Sequence, residues 1–353
     1  MAKANITRRR LMQGGLALAG AAALGGAQRS EARGASRHGV APERPTLVVL
    51  WLNGGPAGLF NSANSFLANG AFGVTQDNVR ALGNDLYVDA GTLGTLPEAA
   101  RAHMASVNFS HGITRPHDLA RAAVLENGKR SQLLRMAAAI PGGPEIRCAL
   151  VNDLGFPKGV SAGPPAEAGA KLDFVMDLGS IPGVDAIRSS YGVASDAVWI
   201  RDQATTFAAV EGLVRAGAGV IFAQPAYTGQ PDKQFDTHRD TGGEAARKIM
   251  APITPMLATF LDRVMVLPDQ NVVTMLVGEW SRSSPDSDHE PGGTATVIGK
   301  YVKTGTAGPQ RSDGQPPPNA PPPDGLWAYA AASLRLSTTP FGKNPNPELL
   351  LPR

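Results

Sequence analysis

The 353-residue sequence predicts an α/β fold with a mostly parallel central sheet flanked by helices. Three observations carry that prediction. Apolar runs of strand length, such as residues 46–52 (TLVVLWL), show little period-two alternation, as strands covered on both faces do. Segments of helical period stand between these runs, and strands alternating with helices build layered sheets through right-handed crossovers. Glycine and proline are abundant, at 41 and 29 residues, yet the strand signals persist between them, which fits a loop-rich folded body rather than disorder.

Residues 1–27 read as a twin-arginine export signal. Arg8, Arg9 and Arg10 form the positive segment, and the Gly/Ala-rich stretch over 14–27 is too short and too poor in Leu and Ile to span a bilayer. Cleavage is expected after Ala27, with the twin-arginine translocase as partner during export of the folded chain and a periplasmic or extracellular destination. Removing Lys3 and the three arginines takes the formal charge from +3 to −1. With both signs interspersed in what remains, no electrostatic footprint for nucleic acid is present. Residues 28–44 mix Arg29, Arg33, Arg37 and Arg44 with Glu31 and Glu43 and read as a flexible, solvated linker.

The body, residues 45–353, is long enough for a substantial core. Its first strand, 46–52, stops at the turn Asn53-Gly54-Gly55-Pro56. A helix over 97–107 starts with Pro97 in its first turn, and a second over 117–139 carries Leu119, Ala123, Leu133, Leu134 and Met136. The strand over 146–152 holds Cys148, the single cysteine, so no internal disulfide forms. Nothing around it would lower its pKa, and it reads as a core residue. A helix over 205–216 ends at Gly217 before a strand over 218–224. In the helix over 243–266, Pro252 and Pro255 are predicted to force a kink or restart. Strands over 272–278 and 294–298 follow. Residues 308–325, with three prolines at 316–318 and three at 321–323, read as a polyproline-like surface loop before a last helix over 326–336. After the leader, no apolar stretch is long enough to cross a membrane.

Candidate chemistry gathers at strand ends. In an extended segment Asp236 and His238 lie on one side, and a carboxylate with an imidazole suits zinc or manganese. Asp288 and His289 are adjacent and share a site only from a turn, which Pro285, Pro291, Gly292 and Gly293 favour. The strand over 272–278 runs into Glu279 and Arg282 at its carboxyl end, where sites in open α/β sheets collect. Each of these also reads as a solvated surface loop when taken singly.

In their order and spacing, the twin-arginine leader, the strand ending in Gly54-Gly55, the Phe235-Asp236-Thr237-His238 segment, Gly278-Glu279-Trp280-Ser281-Arg282 and Asp288-His289 before Gly292-Gly293 resemble the twin-arginine-exported family called domain of unknown function 1501. That family is similar in layout to the alkaline phosphatase and sulfatase superfamily. The resemblance covers nearly all of residues 45–353 and implies a single domain of that fold. It also implies a metal-dependent hydrolase acting on a small anionic phosphate or sulfate ester. Asp236, His238, Glu279, Asp288 and His289 match the family's metal-binding motifs, with zinc, manganese or calcium as the ion, and Arg282 would clamp the anion. Superfamily nucleophiles sit at a helix N-terminus, which places Ser110, His111, Thr114 and His117 in view as catalytic candidates; residues 106–117 read equally as a helix-capping loop. Two departures reduce the site. No aspartate stands in 54–58, and no histidine follows His289, so at most one ion is expected. The alternative from another class is a non-catalytic exported binding or assembly protein that has kept the fold with a degenerate site.

Overall fold

Residues 43–55, 58–128, 130–144, 146–151, 181, 183–195, 202–225 and 234–352 are described by the computed structural model. The leader read over 1–27 and nearly all of the linker read over 28–44 lie outside them. In chain order the elements are β1 (Arg44–Trp51), the β2–β3 hairpin (Val79–Gly83 and Leu86–Asp89), α1 (Glu98–Arg101), β4 (Met104–Ser110), α2 (His117–Leu125), the small β5–β6 pair (Glu126–Asn127 and Arg130–Ser131), α3 (Gln132–Ala139) and β7 (Cys148–Val151). There follow α4 (Val184–Ser190), α5 (Gln203–Arg215), β8 (Val220–Ala223), α6 (Glu244–Val264), β9 (Gln270–Val277), the β10–β11 pair (Ser281–Arg282 and His289–Glu290), β12 (Gly292–Gly299), β13 (Gly305–Thr306) and α7 (Pro323–Ser333).

Seven strands form one sheet in the order β13-β4-β12-β9-β1-β8-β7. Leu47, Val49 and Trp51 of β1 stand opposite Val273, Met275 and Val277 of β9, and all six face one core. Val48 and Leu50 face the other core with Val272 and Leu276. Both faces being buried is why these strands read as unbroken apolar runs. Helices α5 and α6 cover the first-named core's opposite side through Phe207, Leu257 and Phe260, while α2, α3 and α7 cover the remaining face through Val124, Met136 and Trp327. Cys148 is fully buried there as a free thiol.

The sheet is mixed, so the expectation of a mostly parallel sheet holds only in part. β12 runs antiparallel to both β4 and β9, while the remaining neighbours pair in parallel. The cause is local: after β9 the chain folds into the β10–β11 pair, which reverses its direction before it re-enters the sheet beside β9. Three further expectations are corrected. The helix expected over 97–107 stops at Arg101, and Met104–Ser110 is instead β4. Its Val107 and Phe109 pack in the core, and its backbone pairs with β12 along seven residues, from Gly292↔Ser110 to Ile298↔Met104, so tertiary pairing overrides local helical preference. The helix expected over 117–139 is divided by β5–β6, where Gly128 takes a left-handed φ of 63°. Pro252 and Pro255 do not break α6, which runs through both. Both prolines are exposed, so the carbonyls they leave without an N–H partner face water, while Met250, Ile253, Leu257 and Phe260 hold the opposite face in the core.

Candidate metal-binding site

The carboxyl ends of β1, β4 and β9 lie at one edge of the sheet, and β12 begins at that edge. Beyond β1, Gly54 has φ +99°, and a Cβ there would lie 2.2 Å from the Asp236 amide nitrogen. Glycine therefore lets residues 235 and 236 lie directly on the turn, an approach that the Phe235 N–H to Asn53 carbonyl hydrogen bond (2.8 Å) fixes. Phe235 is buried and packs edge-on against Phe60, which anchors Asp236 beside the turn.

Asp236 is the hub. Its Oδ1 lies 2.6 Å from Arg282 Nη2, 3.0 Å from His289 Nε2 and 3.0 Å from His238 Nε2, and its Oδ2 lies 3.3 Å from His117 Nε2. Burial alone would raise the Asp236 pKa, but the bonds from His117, His289 and Arg282 outweigh it and hold the carboxyl far below the usual range. Asp288 approaches from β11's turn, 3.6 Å from His238 Nδ1, and accepts from Arg115 at 3.1 Å. The backbone N–H of His289 is the main cause that lowers its pKa.

Two groups of three share a geometry suited to holding an ion. His117, Asp236 and His289 form one and His238, Asp288 and His289 the other; within each, the ligand atoms lie within 4.8 Å of one another. Four of the five residues read from the sequence as metal-ligating, Asp236, His238, Asp288 and His289, thus converge. The fifth, Glu279, belongs to neither group. It is fully buried, its Oε1 accepts from the Gly54 N–H (3.0 Å) and lies 2.9 Å from His117 Nδ1, and its Oε2 has no hydrogen-bond partner. His117, read as a catalytic candidate, is found among the ligand-type groups. Burial lowers its pKa, but hydrogen bonding to Asp236 and Glu279 prevails and pushes it up to about 9. His238 is lowered by burial, with the charges of Arg282 and His289 adding to the effect against the pull of Asp236.

Arg282 is completely buried. Its Nε donates to the Gly55 carbonyl (3.1 Å), Nη1 to the Ser287 carbonyl (3.2 Å) and Nη2 to the carbonyls of Gly54 and Phe235 as well as to Asp236. Ser110 Oγ donates to the Pro291 carbonyl at 3.1 Å. His111 accepts the Ile113 N–H at Nδ1 and donates from Nε2 to the Glu279 carbonyl at 2.7 Å, which fixes a neutral ring, and burial lowers its pKa. Trp280, which sequence reasoning did not single out, stacks on His289 with ring centres 3.7 Å apart and planes at 21°, and donates from Nε1 to the Ile113 carbonyl. Residues 308–325 touch this region: Gly314's carbonyl accepts from Ser281 Oγ and from Gln310, whose side chain is buried.

No family model matches the chain, and no curated protein matches it. Among solved structures it is similar to the lipoteichoic acid synthase LtaP from Listeria monocytogenes, at 13% identity and a TM-score of 0.41 over 86% of this chain and 76% of that one. It is similar also to the C-terminal periplasmic domain of the phosphoethanolamine transferase EptC from Campylobacter jejuni, at 9% identity and a TM-score of 0.40 over 88% and 96%. A third is the soluble domain of lipooligosaccharide phosphoethanolamine transferase A from Neisseria meningitidis, at 12% and 0.38 over 85% and 90%. The chemistry of the site follows from its own residues. Among the described residues no helix is long and apolar enough to cross a membrane.

Proposed function

We propose that this chain is a metal-dependent hydrolase of phosphate or sulfate esters with a reduced, single-ion site, exported by the twin-arginine route. The observation that carries the reading is the convergence of His117, Asp236 and His289, from three segments remote in sequence, at the carboxyl edge of the sheet. The donor set fits a divalent ion. Two imidazole nitrogens meet one carboxylate in the group His117, Asp236 and His289. Imidazole-rich ligation suits zinc best and manganese less well, whereas calcium takes oxygen ligands throughout. The second group shares His289 with the first, so the two compete for one ring and a single ion per chain is expected.

Such an ion would polarise the ester oxygen and activate a water. The other roles fall to the chain's own groups. Arg282 positions Asp236, each of its three side-chain nitrogens donating within the protein, in place of the anion clamp read from the sequence. Arg115, whose side chain is 75% exposed beside Asp288, is the guanidinium available to an ester anion. His238 is half-exposed with its pKa lowered by burial, and because Nε2 faces Asp236 Oδ1 at 3.0 Å as the donor, Nδ1 is the ring nitrogen that can accept a proton. The engagement of Arg282 and of Ser110 with backbone carbonyls is also what a degenerate, non-catalytic relative would show, so metal analysis decides between the two readings. Purified mature protein is expected to carry one zinc or manganese per chain, lost together with hydrolysis of p-nitrophenyl phosphate or sulfate in the double variant Asp288→Ala, His289→Ala. Protein that holds no metal after mild purification overturns the hydrolase reading; two ions at full occupancy overturn the single-ion site.

Export rests on Arg8, Arg9 and Arg10, and fits the likeness to the twin-arginine-exported family. Changing all three to Lys is expected to leave the precursor unprocessed in the cytoplasm, as fractionation and immunoblotting would read. A fully processed triple variant in the periplasm would exclude this route.

A further inference from the structure

Among the carboxylates at the site, Glu279 stands apart. It is completely buried, it lies in neither ligand-type group, and it approaches His117 from the side of the ring opposite Asp236: Oε1 is 2.9 Å from Nδ1, while Nε2 faces Asp236 Oδ2 at 3.3 Å. The same carboxylate oxygen accepts the Gly54 N–H, which ties it to the turn after β1 on the Nδ1 side of the His117 ring. The next residue does the same for the second imidazole. Trp280 lies flat on His289, and the His289 ring presents Nε2 to Asp236 Oδ1 at 3.0 Å. Trp280 is itself pinned by its Nε1 bond to the Ile113 carbonyl, and His111 holds the Glu279 carbonyl from the other side.

We infer that Glu279 and Trp280 are positioning residues that aim the Nε2 atoms of His117 and His289 at one metal ion held with Asp236, Glu279 by accepting the His117 Nδ1–H and Trp280 by stacking on the His289 ring. This rests on the single-ion reading of the site and reassigns Glu279 from ligand to orienter. A ligating histidine whose other ring nitrogen donates to a carboxylate has its tautomer and ring plane fixed, and loss of such a partner lowers metal affinity about 10- to 100-fold.

The experiment uses the mature chain loaded with zinc. Long-range proton–nitrogen correlation of the histidine rings in wild-type protein is expected to show His117 protonated at Nδ1 and metal-bound at Nε2. Competition with a chromophoric chelator is expected to give about a 10- to 100-fold weaker zinc affinity for Glu279→Ala. Glu279→Gln, whose amide oxygen still accepts the Nδ1–H, should recover most of that loss. Trp280→Phe should keep near wild-type affinity through its remaining aromatic face, and Trp280→Leu should not. His117 bound through Nδ1, or a Glu279→Gln variant as weak as Glu279→Ala, would show that Glu279 is a ligand and overturn the inference. The ring assignment is made on wild-type protein, so it decides the matter even where Glu279→Ala does not fold. Wild-type protein that binds no zinc removes the metal reading itself, whereas wild-type binding unchanged in Glu279→Ala removes only the present inference.

Discussion

Two glutamates of this chain are equally buried and have opposite surroundings. Glu211, on α5, has both oxygens engaged: Oε1 accepts from Arg215 (2.7 Å) and from Arg263 Nη2 (2.8 Å), and Oε2 accepts from Arg263 Nε (2.8 Å) and the Tyr191 hydroxyl (2.8 Å). Glu279 has one oxygen engaged and one without any partner. Burial is the same; satisfaction differs. A buried charge is stable only when paired and hydrogen-bonded, so the closed network around Glu211 belongs to the scaffold, where three helices meet. The open network around Glu279, Asp236 and the histidines leaves Glu279 Oε2 and His289 Nδ1 without a hydrogen-bond partner. Its members are also partly reachable: the side chains of His117, His238 and Asp288 are 36%, 45% and 44% exposed.

That contrast breaks most readily at Glu211. Glu211→Ala leaves two guanidiniums and a buried phenol facing one another, and is expected to lower stability by about 3 kcal/mol, the low end for a broken buried pair because Arg215 and Arg263 are each about one-third exposed. Chemical denaturation reads the change, and zinc content should be unaltered. A variant that keeps its stability, or loses its metal, would dissolve the distinction between the two clusters. The effect has a pH signature. Burial would raise the Glu211 pKa, but the bonds from Arg263, Arg215 and Tyr191 prevail and lower it. Because the folded value lies below the unfolded one, the stabilisation is fully present above the unfolded glutamate pKa, about 4.3, and fades as pH falls through the folded value. Wild type and Glu211→Gln should therefore differ most above about pH 5 and converge in acid. The smallest effect is expected at Arg115→Ala, which removes an exposed pair with Asp288. Stability should change by less than about 1 kcal/mol, while the KM for an aryl phosphate rises if Arg115 meets the anion. A KM unchanged by Arg115→Ala would remove it from the substrate side of the site.

The site was partly legible in the sequence because its motifs are local. Asp236 and His238 are two residues apart, Asp288 and His289 adjacent, and turn-forming glycines and prolines surround both pairs. His117 was visible as a histidine before a helix, but its place in the cluster required the fold, since its partners lie at 236, 279 and 289. Trp280 carried no signal of its own: an aromatic residue in an apolar context looks the same whether it fills a core or stacks on an imidazole.

For the fold, the chain's own pattern determined the buried strands β1, β8, β9 and β12 and the long helices α5, α6 and α7, to within a few residues at their ends. Continuous apolar runs and helical spacing are properties of neighbouring residues. Tertiary structure decided the rest. Met104–Ser110 became a strand because β12 was there to pair with it, the sheet became mixed because the β10–β11 pair turned the chain around, and α6 passed through two prolines because its core-facing residues held it on the sheet. It also decided which oxygen of which buried glutamate finds a partner. Periodicity reports how each residue compares with its neighbours in sequence, whereas hydrogen-bond satisfaction depends on groups from other elements, as far as 52 residues away for Glu211 and 225 for Glu279, and only the folded chain places them.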